Sequence, residues 1–534
     1  MSTDYMQGKC ATAPYNFVSY DPKNLLESGS DEELFSGTIS CSLQALTPLL
    51  VGGSTDKNLN AEGPSERSFF TLNDGRIAIP GTSLKGMLRS YVEAITRSKI
   101  EFISDKKIFY RHVTASEKSV YKSKFPKSID PILGGFLYKD GSVYKLYPAT
   151  VSRASGHDPE IYHTGAMEKK VKGYLFKRSS STPVTLRSEV IADFYAQMTE
   201  DQKTNWKNEY DALNQGKGAR VFYLTSNGKS NGNIEAIGTS RYFRIAYNYT
   251  PKDLASKDFN SRGTNINDFS LHLFGIANKE CAYKGKVGIE AAYFSEYRFE
   301  KKDEIVCILG NPKPSALLHY ICQPKAKACK NKDELLNNYN YRSSLRGRKF
   351  YWHRDPEKSV SDAKNSKVLS LLKPVARGAK ASFVVHLDRV NLTELGAILE
   401  ALDLKEGHAH KLGSGKSLGL GSVRIDIKEA LIINVNKKYR SLKDRLKGEV
   451  ESLSQAELIK AREAFRDYAT LKNAKSYAEQ QHIKELNAMT DFKHRPSNEL
   501  TKTMPLEKDK GEPNFAKSKA LLLDPVQVKK GNRL

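Results

Sequence analysis

Ile79-Pro80-Gly81-Thr82-Ser83-Leu84-Lys85-Gly86-Met87-Leu88-Arg89-Ser90 reads as a strand end, a tight turn and the start of a helix. Pro80 and Gly81 break the strand, and Thr82 or Ser83 is the kind of residue that caps a first turn by accepting a bond from an orphaned backbone N–H. Leu84, Met87, Leu88, Tyr91, Val92 and Ile95 then recur at i, i+3, i+4 and i+7, one buried stripe, with Lys85, Arg89 and Arg97 off it. Free N–H groups at Gly81, the hydroxyls of Thr82 and Ser83, and the nearby Lys85 and Arg89 make a reasonable seat for a phosphate. The same residues also describe an ordinary amphipathic helix with a wet, basic face.

A second glycine-rich stretch lies far downstream. Lys411-Leu412-Gly413-Ser414-Gly415-Lys416-Ser417-Leu418-Gly419-Leu420-Gly421 is a loop that runs into a strand from Val423 to Ile427. Gly415-Lys416-Ser417 looks like part of a nucleotide-binding P-loop, but position 410, where that motif needs glycine, is His410. What remains is a backbone that another chain can approach closely, because glycine has no Cβ.

Between these stretches the periodicity alternates. Ile39, Cys41, Leu43 and Ala45 alternate with Thr38, Ser40, Ser42 and Gln44, a half-buried strand. Ile234 to Tyr249 alternates as a strand does, and a polar linker then leads to Leu271–Gly275 and a further strand, Gly288 to Phe294. Ser382 to Leu387 is a short buried strand, followed by a helix capped by Asn391 with Glu394 three residues on and stopped by Gly407. Strand, helix, strand, strand, helix, strand is the order of an α+β, ferredoxin-like split βαβ sheet, which brings the Ser83/Lys85 turn beside the glycine-rich loop. We expect a polar arm over 1–30, the core over 31–428 with insertions at about 99–230 and 300–375, and a helical, extended appendage over 429–534. Asp140-Gly141 marks a hairpin in the first insertion.

Three ordered segments resemble those of the RAMP superfamily, the RRM-like proteins of CRISPR effector complexes. They are the Pro80–Arg89 helix start, Leu271-His272-Leu273-Phe274-Gly275 with Gly285-Lys286-Val287-Gly288-Ile289, and the loop at Gly413–Gly421. The resemblance is to the backbone subunits that bind guide RNA in type III and type III-derived complexes, and Arg346 to His353 and His408 to Gly413 resemble an enlarged branch. It implies a CRISPR RNA partner, a complementary target RNA, other effector subunits including further copies, and a hairpin thumb laid across the guide. It also implies a metal-dependent carboxylate in the loop after the first strand. Here Asp56 follows Gly52-Gly53 closely, while the usual place holds Ala61 to Arg67, so Asp56 or Glu62 is the candidate and solvated loop acids are the plainer reading. We expect no cofactor for binding, Mg²⁺ only if target RNA is cut, and little or no cutting without a separate nuclease. The alternative activity is an endoribonuclease that processes the guide precursor, with His408, His410 or His112 as general base.

Composition points the same way. A net charge of +24 and a pI near 9.4 call for a polyanion, most often nucleic acid. Arg346, Arg348 and the Lys/Tyr-rich stretches at 118–122 and 169–178 mix cations for phosphates with rings for bases, although a solvated basic strand accounts for them equally. No apolar run approaches the roughly 18 residues of a spanning helix and Met1–Tyr15 is polar, so we expect a cytoplasmic protein with no membrane partner. Six scattered cysteines are expected to be reduced. His319, Cys322 and Cys329 form the one grouping that suggests zinc, without a C-x-x-C pair, so we expect no metal there.

Overall fold

The computed structural model describes residues 10–21, 24–29, 33–53, 65–111, 133–164, 172–226, 232–256, 267–279, 281–309, 314, 316–323, 339–340, 343–357, 369–439, 442, 452–503 and 521–531. Asp56, Glu62, His112, Cys329 and the stretch 118–122 lie outside the described residues. The chain divides into two compact units: 1–103 with 255–322 and 344–534, and 104–254 with 323–343.

The first unit is organised on one antiparallel sheet. Its members in chain order are β1 (Phe35–Ala45), β2 (Ala78–Ile79), helix α1 (Gly81–Ile95), β3 (Val287–Ile289), β4 (Ala292–Glu296), β5 (Lys380–Val390), α2 (Leu392–Leu402), β6 (His410–Lys411) and β7 (Ser422–Asn434). The strands lie in the order β6-β7-β1-β5-β4-β2, with β3 also pairing with β5. β1 is central because its alternation is strict: Ile39, Cys41, Leu43 and Ala45 are all buried. Cys41 sits opposite Phe383 of β5, and Leu43 opposite Ile425 of β7. The apolar stripe of α1, Leu84, Leu88, Tyr91, Val92 and Ile95, enters the same core.

Asn391 caps α2 in a reciprocal box with Glu394, as its spacing predicts. Glu394 is fully buried. Burial pushes its carboxyl up, but the bonds from His272 and Lys286, both at 2.7 Å, outweigh that and hold it below the ordinary range. This one carboxylate ties the 271–289 segment to α2. The helix ends earlier than the expected stop: Leu402 is its last residue and Gly407, at φ +80°, serves a later turn.

Two further boundaries differ from the sequence reading. β7 passes Lys428 through a bulge between Ile427 and Glu429 and stays paired with β1 until Asn434 meets Phe35. Downstream, α3 (Gln455–Ala469) and α4 (Gln481–Thr490) add Leu458, Ala461, Phe465, Ile483, Leu486 and Met489 to the core that β1 and α1 share. A Cβ on Gly396 of α2 would lie 2.0 Å from the Ala461 carbonyl oxygen, so the two helices meet backbone to backbone. The 452–503 region is thus packed into the sheet's core rather than appended to it.

The second unit is a six-stranded sheet around the expected hairpin, Gly134–Asp140 with Val143–Ser155, in which Asp140 pairs with Val143 and Gly141 has φ +59°. Helices Ser188–Gln197, Glu200–Asn205 and Lys207–Asn214 complete it. The expected strand over Ile234–Tyr249 breaks into Ile234–Gly238 and Ile245–Ala246. Phe243 folds back on Gly238, whose missing Cβ would lie 2.1 Å from the Phe243 Cβ, so Arg241 to Arg244 turn instead of extending.

Candidate nucleic-acid interface

α1 starts one residue after Pro80, and this settles the role of the hydroxyls. Pro80 is the N-cap, with its carbonyl accepting from the Ser83 and Leu84 N–H groups, and no side chain caps the turn. The expected cap by Thr82 or Ser83 is therefore absent: both lie inside the helix. Gly81 is required by packing, since a Cβ there would sit 2.1 Å from the Ile289 carbonyl oxygen.

The two basic residues of α1 lie near each other, and Arg89 is taken up by the protein itself. Arg89 bonds Glu93 at 2.9 Å and the Gly275 carbonyl at 3.3 Å, and its guanidinium lies 4.4 Å from the Phe102 ring centroid. Lys85 is half-buried, and burial followed by repulsion from Arg89 lowers its pKa. Two of the three matched segments thus meet: α1 touches the 275 and 289 backbones, and Gly275 and Gly285 are pressed together.

The face of α1 that stays open carries Ser83, Gly86 and Ser90. It lines a cleft of about 430 Å³ with Gly413, Ser414 and Lys416 of the glycine-rich loop, Gly52, and Lys349 and Tyr351 of the strand Arg348–Tyr351. The structure therefore does bring the helix start and the loop together, as the split βαβ reading expects. Charge enters through Lys416, an expected residue, and through Lys349. Lys349 lies 3.8 Å from the Tyr15 ring centroid and donates to the Tyr320 hydroxyl at 3.1 Å, and burial lowers its pKa to about 8. Lys416 lies 5.7 Å from the Tyr351 ring centroid, its pKa also lowered by burial.

The loop glycines serve the protein's own backbone. Gly413, Gly415, Gly419 and Gly421 all have positive φ, and added Cβ atoms would meet Leu50 O at 2.2 Å, Leu420 Cδ1 at 2.5 Å, Asp355 O at 2.6 Å and Leu412 O at 1.9 Å. Lys411 is turned into this loop, donating to the carbonyls of Leu420 at 2.8 Å and Gly419 at 3.3 Å. Burial first, then repulsion from Arg354, Lys416 and Arg495, hold its pKa well below the lysine range. Ser417 gives its carbonyl to Arg354. Gly86 behaves oppositely: nothing lies within 4 Å of its Cβ position.

Of the two other arginines expected at RNA, Arg348 is buried and donates to the Ser98 carbonyl, over the Tyr20 ring. Arg346 pairs its backbone N–H with Tyr320 O. Neither lines the cleft. Sequence reading missed Gly86, Ser90, Lys349 and Tyr351. The open helical glycine was the available signal, because glycine costs a helix interior about 1 kcal/mol and something must repay it.

The candidate general bases are separated. His410 lines the cleft but is buried edge-on against Tyr91, and burial lowers its pKa to about 4. His408, also lowered to about 4 by burial, does not line the cleft itself but bonds Thr490 Oγ1, which does, at 2.9 Å. His353 is buried between Ser422 Oγ and the Ala409 carbonyl. Among the described residues no group of three or more His, Cys, Asp or Glu side chains is placed to hold a metal. Nor is any helix among them long and apolar enough to cross a membrane.

A model of the RAMP superfamily matches residues 42–424, which takes in α1, both insertions and the glycine-rich loop. No curated protein sequence matches. Among solved structures, a chain of a type IV-B CRISPR complex is 11% identical, with 73% of this chain and 90% of that one covered at a TM-score of 0.25. A chain of a type III-B Cmr-β complex bound to cognate target RNA is 13% identical, with 73% and 97% covered at a TM-score of 0.19. Superpositions that loose add nothing to the functional argument. The match over most of the sequence is what counts, and by it the chain belongs to the RAMP superfamily.

Proposed function

We propose that this protein is a backbone subunit of a type III-like, RNA-guided effector complex, gripping CRISPR RNA by its sugar-phosphate chain and presenting it to complementary target RNA. The observation that carries the reading is the cleft in which the Ser83–Gly86–Ser90 face of α1, the Gly413–Ser414 backbone and the ammonium groups of Lys349 and Lys416 converge. Hydroxyls, a bare helix backbone and two lysines suit phosphates and ribose and carry no base-reading pattern, so sequence recognition is left to base pairing. The strand order β7-β1-β5-β4, with α1 and α2 in the crossovers, supports a ferredoxin-like split βαβ core interrupted by inserted segments. The hairpin at Asp140-Gly141 is then the thumb. Partners are the guide, the target and further effector subunits. No cofactor enters the grip; Mg²⁺ matters only if a carboxylate such as Asp56 cuts the target, and we expect cutting to need a separate nuclease.

The test is filter binding of co-purified CRISPR RNA across several salt concentrations with Lys349→Met and Lys416→Met, which keep the aliphatic stems. Each lost phosphate contact lowers the salt slope by about 0.7 for a single strand, equally for every spacer. An unchanged slope and affinity would remove the cleft from the RNA path.

A further inference from the structure

The second unit holds a cavity of its own, of about 470 Å³, within the roughly 300–1,000 Å³ of small-molecule sites. Its wall is built from the hairpin and three helices, Lys203 of Glu200–Asn205 among its residues. Tyr144 and Lys139 come from the hairpin, Tyr195 from Ser188–Gln197, and Trp206, Lys207 and Tyr210 from the turn and helix that follow. Four rings line one small cavity, with Trp206 buried and packed edge-on with Phe194 at 5.1 Å and Tyr210 open to solvent. Tyr210 is 45% exposed, stands perpendicular to Tyr195 at 6.4 Å, and lies 6.4 Å from Trp206 at 55°.

The charge around these rings is one-sided. No acidic side chain lines the cavity. Glu209 is held by Arg220 at 2.8 Å, and Glu200 pairs at 2.8 Å with Lys203, itself one of the lining residues. Among the described residues no ion pair engages Lys139 or Lys207, and Lys139 sits 6.0 Å from the Tyr144 centroid at the rim. Rings with open faces beside uncompensated ammonium groups match a flat π-system that carries an anion a few ångströms away.

We infer that this cavity is a nucleotide-binding site, taking the base against the Tyr195 and Tyr210 rings and its phosphate on Lys139 and Lys207. The ligand is either one unstacked nucleotide of an RNA strand or a free nucleotide. This site lies wholly within the second unit and does not depend on the guide-binding reading of the cleft.

The chain has two tryptophans, Trp206 and Trp352, so full-length Trp352→Phe protein reports on the cavity through Trp206 fluorescence alone. UMP, AMP and pentauridylate are titrated beside ribose 5-phosphate and inorganic phosphate. We expect saturable quenching by the nucleotides only, weakened about tenfold by Tyr210→Ala and by Lys207→Ala, both at solvent-exposed positions. Lys416→Met, in the other unit, should leave the quenching unchanged while weakening guide RNA binding, so the two readings fail separately. Tighter binding of pentauridylate than of UMP identifies an RNA strand as the natural ligand, and the reverse a free nucleotide. Equal quenching by ribose 5-phosphate, indifference to both substitutions, or no quenching by a folded protein at millimolar nucleotide overturns the assignment.

Discussion

The two glycine-rich stretches look alike in sequence and do opposite things. In the 411–421 loop every glycine has positive φ and turns its missing Cβ against the protein's own atoms, three of the four against backbone carbonyls. On α1, Gly81 does the same against Ile289, but five residues later Gly86 has helical geometry and empty space in front of it. Glycine density therefore marks where the chain meets itself. A glycine the fold does not ask for marks where something else is to come close.

The strongest way to break this contrast is to fill the loop. Gly413→Val and Gly421→Val combine a disfavoured φ with a Cβ inside a carbonyl's contact distance, and we expect a loss of more than about 3 kcal/mol, seen as collapse of the cooperative melting transition. A valine variant that melts like the parent yet fails to bind RNA would return these glycines to the RNA surface.

Arg89 comes next. Its bonds to Glu93 and Gly275 predict that Arg89→Ala costs roughly 1–2 kcal/mol of stability, measured by urea denaturation, with no change in the salt slope of RNA binding. A changed slope at unchanged stability would place Arg89 on phosphate after all.

A smaller effect sharpens the account of charge in the cleft. Lys349 titrates at about 8 in the free protein because burial disfavours its ammonium form. Its folded pKa is depressed below the ordinary value of 10.5, so between about 8 and 10.5 the unfolded chain binds more protons and stability rises with pH. A phosphate beside Lys349 restores the proton, so RNA affinity should fall from pH 8 to 9 by at most about tenfold, and Lys349→Met should flatten that dependence. Affinity that is flat with pH in the parent protein would separate Lys349 from the ligand.

Much of the fold was legible because its signals are local. The alternation of β1, the stripe of α1, the Asn391/Glu394 box and the Asp140-Gly141 hairpin each depend on residues within a few positions of one another. The meeting of α1 with the loop also followed from strand order. What could not be read was contact at long range. Nothing near Arg348 announces that Ser98 will bury it, and nothing near Lys349 announces Tyr15 and Tyr320. The 452–503 helices read as charged because their stripe is thin: Ala461 supplies burial through closeness to α2, not through size.

Gly86 offers the most direct measurement. Gly86→Ala and Gly86→Leu are made in the full-length protein, and thermal stability and guide RNA affinity are read side by side. Alanine and leucine favour a helix over glycine by up to about 1 kcal/mol, and the open space in front of Gly86 leaves that gain intact. The account predicts variants that melt at or above the parent temperature and bind RNA more weakly, leucine worse than alanine, because the side chain occupies the cleft. Both variants binding guide RNA as tightly as the parent, with stability kept or raised, would contradict the claim that the cleft on α1 is where this protein holds its RNA.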